Sequence, residues 1–205
     1  MQWLSDLLFP PRDDEQIVRT LTTESLCPLV NPILISSTNP PTVALLPLRN
    51  PIVRALIHEA KYHGNKRAHS ILGEILFDYI SSDETLREPI LVPIPMMKRR
   101  VRLRAGNHTE RIIENAMTTM PEHESFTYAP ELLRRILETP PQVRMNRAAR
   151  LRNMNGVFAA SGPIDPALHY VVFDDVITTG ATLQSATDAL RAAGAKHIST
   201  LALAH

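Results

Sequence analysis

The chain has 205 residues, of which 44% are hydrophobic and only 5% aromatic, and its net charge at pH 7 is +1. This length and apolar content predict one α/β domain with an N-terminal extension and an aliphatic core. The near-zero net charge says little about the partners of the protein. Because Cys27 is the single cysteine, an internal disulfide is excluded, and a reducing cytoplasmic location is expected. We expect no signal peptide and no membrane-spanning segment, since the apolar runs are short.

Apolar periodicity predicts strands that alternate with helices along most of the chain. Strands are expected at 42–48, 90–94, 132–137, 157–160, 170–174 and 198–204, and helices at 51–62, 66–80, 109–120 and 181–193. Gly64 and Gly194 are expected to end the helices that precede them. Alternating elements of these lengths predict an α/β fold with a mainly parallel sheet flanked by helices.

The segment YVVFDDVITTGATL, residues 170–183, has the most informative pattern. A buried strand leads to the acid pair Asp174 and Asp175, and a Thr- and Gly-rich loop precedes the next helix. The unpaired N–H groups at a helix start and the positive end of its dipole favour an anion. Threonine hydroxyls add donors, and Gly180 permits a backbone conformation that side chains resist. An ordinary strand–turn–helix with a threonine N-cap is the alternative.

This segment resembles the phosphoribosyl-diphosphate (PRPP) motif of type I phosphoribosyltransferases, which implies that fold and pentosyl transfer. In that family the two acids hold the ribose hydroxyls at the catalytic centre, a role that would fall to Asp174 and Asp175. The loop wraps the 5′-phosphate, and the corresponding residues are Thr178, Thr179, Gly180, Ala181 and Thr182. Mg²⁺ is expected to arrive with PRPP and to bridge its oxygens, without a dedicated protein metal site.

LIHEAKYHGNKR, residues 56–67, resembles a stretch of the ComF competence-protein family, whose Lys-aromatic-x-Gly turn lies at the pyrophosphate loop. The resemblance implies that four consecutive residues face the diphosphate: Lys61, Tyr62, His63 and Gly64. A lysine in the last turn of a helix is also an ordinary surface charge that offsets the helix dipole.

A basic run follows the strand at 90–94 and resembles the same family. Its five cations are Lys98, Arg99, Arg100, Arg102 and Arg104. The family continues with Arg-Gly-Phe-Asn-Gln, whereas this chain has Ala105-Gly106-Asn107-His108 after its arginine and keeps only the asparagine. We interpret the run as a contact for nucleic acid or another polyanion, with a solvated loop as the alternative.

A third resemblance lies in LLRRILETPPQVRMNRAARLRNMNGVF, residues 132–158. In related phosphoribosyltransferases this region is a flexible lid that excludes water from the reacting centre. The candidate lid residues are Gln142, Arg144 and Arg147. A basic surface loop is the alternative.

The resemblance to the ComF family covers about residues 48–205, which we assign to a phosphoribosyltransferase-like domain. Residues 1–47 form an N-terminal extension without the four-cysteine zinc module of many ComF chains, because Cys27 stands alone. The resemblance implies PRPP binding with Mg²⁺ and a role in DNA uptake beside single-stranded DNA and a helicase-like competence ATPase, and it permits a homodimer. A nucleobase-salvage phosphoribosyltransferase and a catalytically silent nucleic-acid or partner-binding module stay open, since no segment identifies the acceptor.

Overall fold

The computed structural model describes residues 11–96, 106–119, 126–137 and 156–205. The strands are β1 (Ile33–Ile35), β2 (Thr42–Leu46), β3 (Ile90–Pro93), β4 (Thr127–Tyr128), β5 (Leu133–Arg135), β6 (Phe158–Ala160), β7 (His169–Val176) and β8 (His197–Ala204). The α-helices are α1 (Asp13–Thr20), α2 (Thr23–Leu26), α3 (Pro51–His63), α4 (Lys66–Ser82), α5 (His108–Thr119) and α6 (Ala181–Ala192), with 3₁₀ turns at Cys27–Leu29 and Pro130–Leu132. None of the helices in these ranges has the length and apolar character needed to cross a bilayer.

Six strands form the main sheet in the order β1-β2-β8-β7-β3-β4. β1 is antiparallel to β2, whereas the pairings of β2 with β8, β8 with β7, β7 with β3 and β3 with β4 are parallel. Strands β5 and β6 form a separate antiparallel pair. The predicted α/β fold with a mainly parallel sheet flanked by helices is confirmed.

Two apolar layers cover the sheet. On one face, Val171 and Phe173 of β7 pack with buried residues of α3, α4 and α5. On the other face, Tyr170 and Val172 of the same strand pack with Leu183, Ala186 and other buried residues of α6. This split follows from the alternation of side chains along a strand, because residues two positions apart share a face. Adjacent residues of β7 therefore face different layers.

The structure differs from the sequence-based expectation at two places in the sheet. Strands β1 and β2 precede residue 48, so the sheet includes part of the segment assigned above to an N-terminal extension. Strand β7 continues through both acids to Val176, beyond the expected end at residue 174. It extends because β8 still pairs with it there, with Asp174 opposite Ala202 and Val176 opposite Ala204.

An ion pair ties the first helix to the body of the fold. Arg12, just before α1, donates two 3.0 Å hydrogen bonds to the carboxylate of Glu59 on α3. Glu59 is fully buried, and Asn65 adds a third donor at 3.1 Å. Burial raises the pKa of Glu59, but these hydrogen bonds outweigh it and hold the pKa below its usual value. Glu59 is therefore ionised at neutral pH.

Candidate functional site

The turn between β7 and α6 is the centre of the candidate site. Gly180 is the N-cap of α6, with φ 76° and no side chain of its own, and the N–H of Ala181 donates to Oγ1 of Thr179 at 3.4 Å. The N–H groups in the first turn of a helix have no partner within the helix, so they favour an acceptor or an anion. A cavity at this turn is lined by Asp174 and residues 176–183. One carboxylate and the start of a helix thus border the same cavity.

The β1–β2 loop packs behind this turn. A Cβ atom on Gly180 would lie 2.5 Å from Cγ2 of Thr38 and 2.8 Å from Oγ of Ser37. The hydroxyl of Thr38 is 2.7 Å from that of Thr42 and fixes the loop to β2. The loop is also fixed to α6, because the N–H of Asn39 donates to Gln184 at 2.6 Å. The N-terminal segment therefore packs directly against the turn.

We expect Gly180→Ala to destabilise the fold more than Gly156→Ala. Both glycines have left-handed backbone conformations, with φ 76° and φ 67°, but a Cβ at Gly156 would meet nothing within 4 Å. The difference between the two losses of stability measures the cost of the collision with the β1–β2 loop. Overpacking in other proteins costs about 1–3 kcal/mol, and we expect a difference of this size. Urea denaturation of both variants measures it. If both variants lost the same stability, the β1–β2 loop would move aside at no measurable cost, and the expectation would be wrong.

The two acids of β7 face different sides of the sheet. Asp174 shares its face with Tyr170 and Val172, toward α6 and the cavity at the turn. Asp175 shares the face of Val171 and Phe173, toward the helices α3 to α5. The acids are thus neighbours in sequence with separate surroundings. Binding of ribose by both of them stays a prediction.

Asp175 is the buried centre of an ion cluster. Its Oδ2 atom is 2.5 Å from Nζ of Lys61 and 2.9 Å from Nε2 of His108. Burial acts to raise the pKa of Asp175, but the Lys61 ammonium and the His108 ring outweigh it and hold the pKa well below the usual range. Burial likewise acts to lower the pKa of Lys61, and the charges of Asp175 and Asp174 raise it above its normal value. Both partners are therefore charged at neutral pH.

The burial of Asp174 is compensated only in part, by the charge of Lys61 and by the N–H of Asp175, which donates to Oδ1 of Asp174 at 2.9 Å. Its side chain is partly exposed at the cavity, yet the surrounding protein excludes enough water to raise its pKa well above the usual range, and the charge of Asp175 raises it further. The charge of Lys61 opposes this rise only in part. An ionised Asp174 is consequently stabilised by any cation or hydroxyl donor that enters the cavity.

The turn between α3 and α4 brings Lys61 to the acids. Asn50 caps the start of α3 at the N–H of Ile52, and Gly64 ends this helix in the left-handed conformation, with φ 59°, as predicted. The guanidinium of Arg111 lies over this turn. A Cβ atom on Gly64 would be 3.2 Å from Nη1 of Arg111, and a Cβ atom on Gly106 would be 2.9 Å from Nη2 of Arg111. A second cation therefore stands beside the turn.

The structure brings together part of the predicted site. Lys61 meets Asp175 although 114 positions separate them, and Asp174 shares a cavity with residues 178–182. Tyr62 is half exposed, and His63 lies toward Glu59, with 3.9 Å between Nε2 and Oε1. The predicted basic run (Lys98, Arg99, Arg100, Arg102 and Arg104) and the lid residues (Gln142, Arg144 and Arg147) lie outside the described residues.

Sequence reasoning gave no role to two residues that the structure places at this site. His108 contacts Asp175, and the ring nitrogens of His108 are buried without a hydrogen bond of good geometry. Arg111, one turn further along α5, covers Gly64 and Gly106. The signal for His108 was its position, where the resembling family has glutamine. Arg111 lies in an ordinary amphipathic helix pattern, which contains no signal of a functional role.

Comparisons with known proteins give a distant similarity. No family model matches the chain. The chain is 25% identical over 150 residues to the DNA utilization protein YhgH of Salmonella typhi and to that of Salmonella typhimurium. The match covers 71% of this chain and 63% of each relative, so the chain matches somewhat less than two thirds of their length.

Proposed function

We propose that this protein is a ComF-like phosphoribosyltransferase-family protein that binds PRPP and Mg²⁺ and acts in DNA uptake. The observation that carries the proposal is the shared cavity of Asp174 and the β7–α6 turn. It combines a carboxylate for hydroxyl groups with a helix start for a phosphate, at the carboxyl end of a parallel strand. Ligands of open α/β sheets bind at that end.

The 5′-phosphate would bind at the turn, to N–H groups at the start of α6 and to the hydroxyls of Thr178, Thr179 and Thr182. The left-handed Gly180 shapes this turn, and the β1–β2 loop holds it in place. Because the loop is fixed before the ligand arrives, little conformational entropy is lost on binding. The ribose hydroxyls would donate hydrogen bonds to the carboxylate of Asp174.

The diphosphate would approach the α3–α4 turn, where Lys61 and Arg111 supply positive charge. Asp174 fits Mg²⁺ as a single oxygen ligand, and one or two carboxylates plus substrate oxygens are the usual way in which proteins hold this ion. When bound, Mg²⁺ offsets negative charge on the diphosphate. Asp175 is already paired with Lys61 and His108, so we assign it to orienting Lys61.

The reaction class is displacement at the anomeric carbon of PRPP. A bond forms from a nitrogen nucleophile to this carbon, the bond from carbon to the diphosphate oxygen breaks, and pyrophosphate leaves with the electron pair. The residues of the chain contribute position and charge rather than a covalent nucleophile. A screen for pyrophosphate release over nucleobases and amines tests this step. Binding of PRPP without turnover on any acceptor would favour the catalytically silent module instead.

The similarity to the DNA utilization protein supports the link to DNA. Single-stranded DNA would bind to the basic run at residues 98–104, beside a helicase-like ATPase partner. Salvage of a nucleobase is the second candidate function, since Asp174 and the β7–α6 turn would bind PRPP in the same way for a nucleobase acceptor. Efficient turnover with one free nucleobase, together with no measurable binding of DNA, would indicate the salvage function.

Neutralising the basic run should weaken DNA binding and leave PRPP binding unchanged. We expect the variant Arg99→Gln/Arg100→Gln/Arg102→Gln to bind single-stranded DNA less tightly whatever its sequence, because the lost contacts are to phosphates. The slope of log affinity against log salt should shrink by about 0.7 for each lost contact. Fluorescence anisotropy over a salt series measures it. Failure of the parent protein to bind DNA at low salt would remove this role.

A further inference from the structure

Three side chains that bind metals converge at the end of α3. Among the described residues, the ligand atoms of His58, Glu59 and His63 lie within 4.8 Å of one another. The two rings are 5.3 Å apart and nearly perpendicular. Both histidines are partly exposed, whereas Glu59 is fully buried. The group lies on the side of α3 that faces α1, away from the acids of β7.

Among the described residues, the partners of Glu59 leave one lone-pair position of its carboxylate open for a further ligand. A carboxylate has about four lone-pair positions. Arg12 uses one on Oε1, and Arg12 and Asn65 use both on Oε2. The remaining one belongs to Oε1, which lies 3.9 Å from Nε2 of His63. Two ligands of a tetrahedral Zn²⁺ with bonds of 2.0–2.1 Å are about 3.4 Å apart, so Oε1 and Nε2 would approach each other by about 0.5 Å. The pairs with His58 lie within 4.8 Å and would close by about 1.4 Å at most.

Asp14 on α1 orients His58 in the manner typical of metal sites. Nδ1 of His58 lies 2.9 Å from Oδ2 of Asp14. When a neutral histidine donates one ring N–H to a carboxylate, its other nitrogen, here Nε2, is the one that can bind a metal. This support comes from a different helix from the ligands. Metal binding would therefore strengthen the attachment of α1 to α3.

We propose that His58, Glu59 and His63 form a binding site for a divalent transition-metal ion of the Zn²⁺ class, oriented by Asp14. Two imidazoles and a carboxylate suit Zn²⁺, Co²⁺ and Ni²⁺ better than Mg²⁺ or Ca²⁺, which prefer oxygen. A fourth position stays open to water, since the site is at the surface. The site does not depend on PRPP binding. It assigns His63 to the metal rather than to the diphosphate.

Titration of the full, tag-free chain with Zn²⁺ in the absence of PRPP tests the site, with Co²⁺ absorption to report tetrahedral geometry. We expect one ion per chain, and affinity at least tenfold lower in His58→Ala and in His63→Ala. Asp14→Asn should weaken binding by about tenfold, as loss of such an orienting carboxylate does elsewhere. His197 is an exposed histidine on β8, so His197→Ala is the matched control and should bind Zn²⁺ as tightly as the parent does.

Melting curves without metal verify that the variants fold, and both histidines are exposed enough for this to be expected. Added Zn²⁺ should raise the melting temperature of the parent and not that of His58→Ala/His63→Ala. The proposal is overturned if the parent binds no Zn²⁺ at micromolar concentration, or if the double variant binds it as tightly as the parent. Neither outcome bears on PRPP, which is absent from the assay.

Discussion

Replacing Lys61 with methionine is expected to destabilise the protein by about 3 kcal/mol. It leaves Asp175 as a buried carboxylate whose described close partners are His108 and the N–H of Val176, with no ammonium beside it. Removal of one member of a buried ion pair costs about 3–5 kcal/mol in other proteins. We take the lower end, since the Lys61 side chain is 24% exposed while that of Asp175 is 5% exposed. The free energy of unfolding, from urea denaturation at neutral pH, measures the effect.

The double variant Lys61→Met/Asp175→Asn is the control for this prediction. It removes both charges, so it should recover much of the stability that Lys61→Met loses. The lowered pKa of Asp175 also fixes the pH dependence. Its contribution to stability is present above the pKa of an unfolded aspartate and is lost only as the pH falls toward the lower, folded pKa. The uncertainty of such measurements is about 0.5 kcal/mol. If the free energy of unfolding of Lys61→Met differed from that of the parent by less than this, the ion pair would not stabilise the fold as described.

Replacing Asp174 with asparagine should weaken PRPP binding by tenfold or more while leaving the fold at least as stable. A lost hydrogen bond to a charged group is worth about 1.5–3 kcal/mol, and about 1.4 kcal/mol is a tenfold change in affinity. The raised pKa of Asp174 means that its ionised form destabilises the fold as the pH rises above the usual aspartate range. Asparagine removes this cost, so stability at neutral pH should rise or stay constant.

This opposite response of stability and binding distinguishes a ligand-binding acid from a structural one. Thermal denaturation measures the stability, and a PRPP titration by thermophoresis measures the affinity. Asp188→Asn removes an exposed acid from α6 that does not line the cavity, and it should change neither quantity. If Asp174→Asn lost stability and kept its PRPP affinity, Asp174 would be a structural residue.

The sequence predicted the parts of the fold that depend on local pattern. The helix that ends at Gly64 and the strands β3, β7 and β8 lie close to their expected places, because apolar periodicity and a left-handed glycine are local signals. The end of β7 was placed too early, since pairing with β8, a tertiary contact, carries the strand through Asp174 and Asp175. Strand β1 has three residues, too few for a periodic signal.

The motifs of the candidate site were visible in the sequence, but their partners were not. Asp174 and Asp175 look alike in the sequence, and only the alternation along β7 shows that they face different layers. The pairing of Lys61 with Asp175 joins residues 114 positions apart, which no local pattern encodes. The packing of the β1–β2 loop against Gly180 likewise depends on the sheet order.

Isothermal titration of the parent protein with PRPP, with and without Mg²⁺, measures whether the cavity beside Asp174 binds PRPP. We predict one PRPP bound per chain, with higher affinity when Mg²⁺ is present, because a divalent cation offsets the repulsion between the diphosphate and the acids of β7. Inorganic phosphate should compete weakly at the β7–α6 turn. Absence of any binding heat at millimolar PRPP with Mg²⁺, from a protein whose melting curve shows that it is folded, would contradict the account.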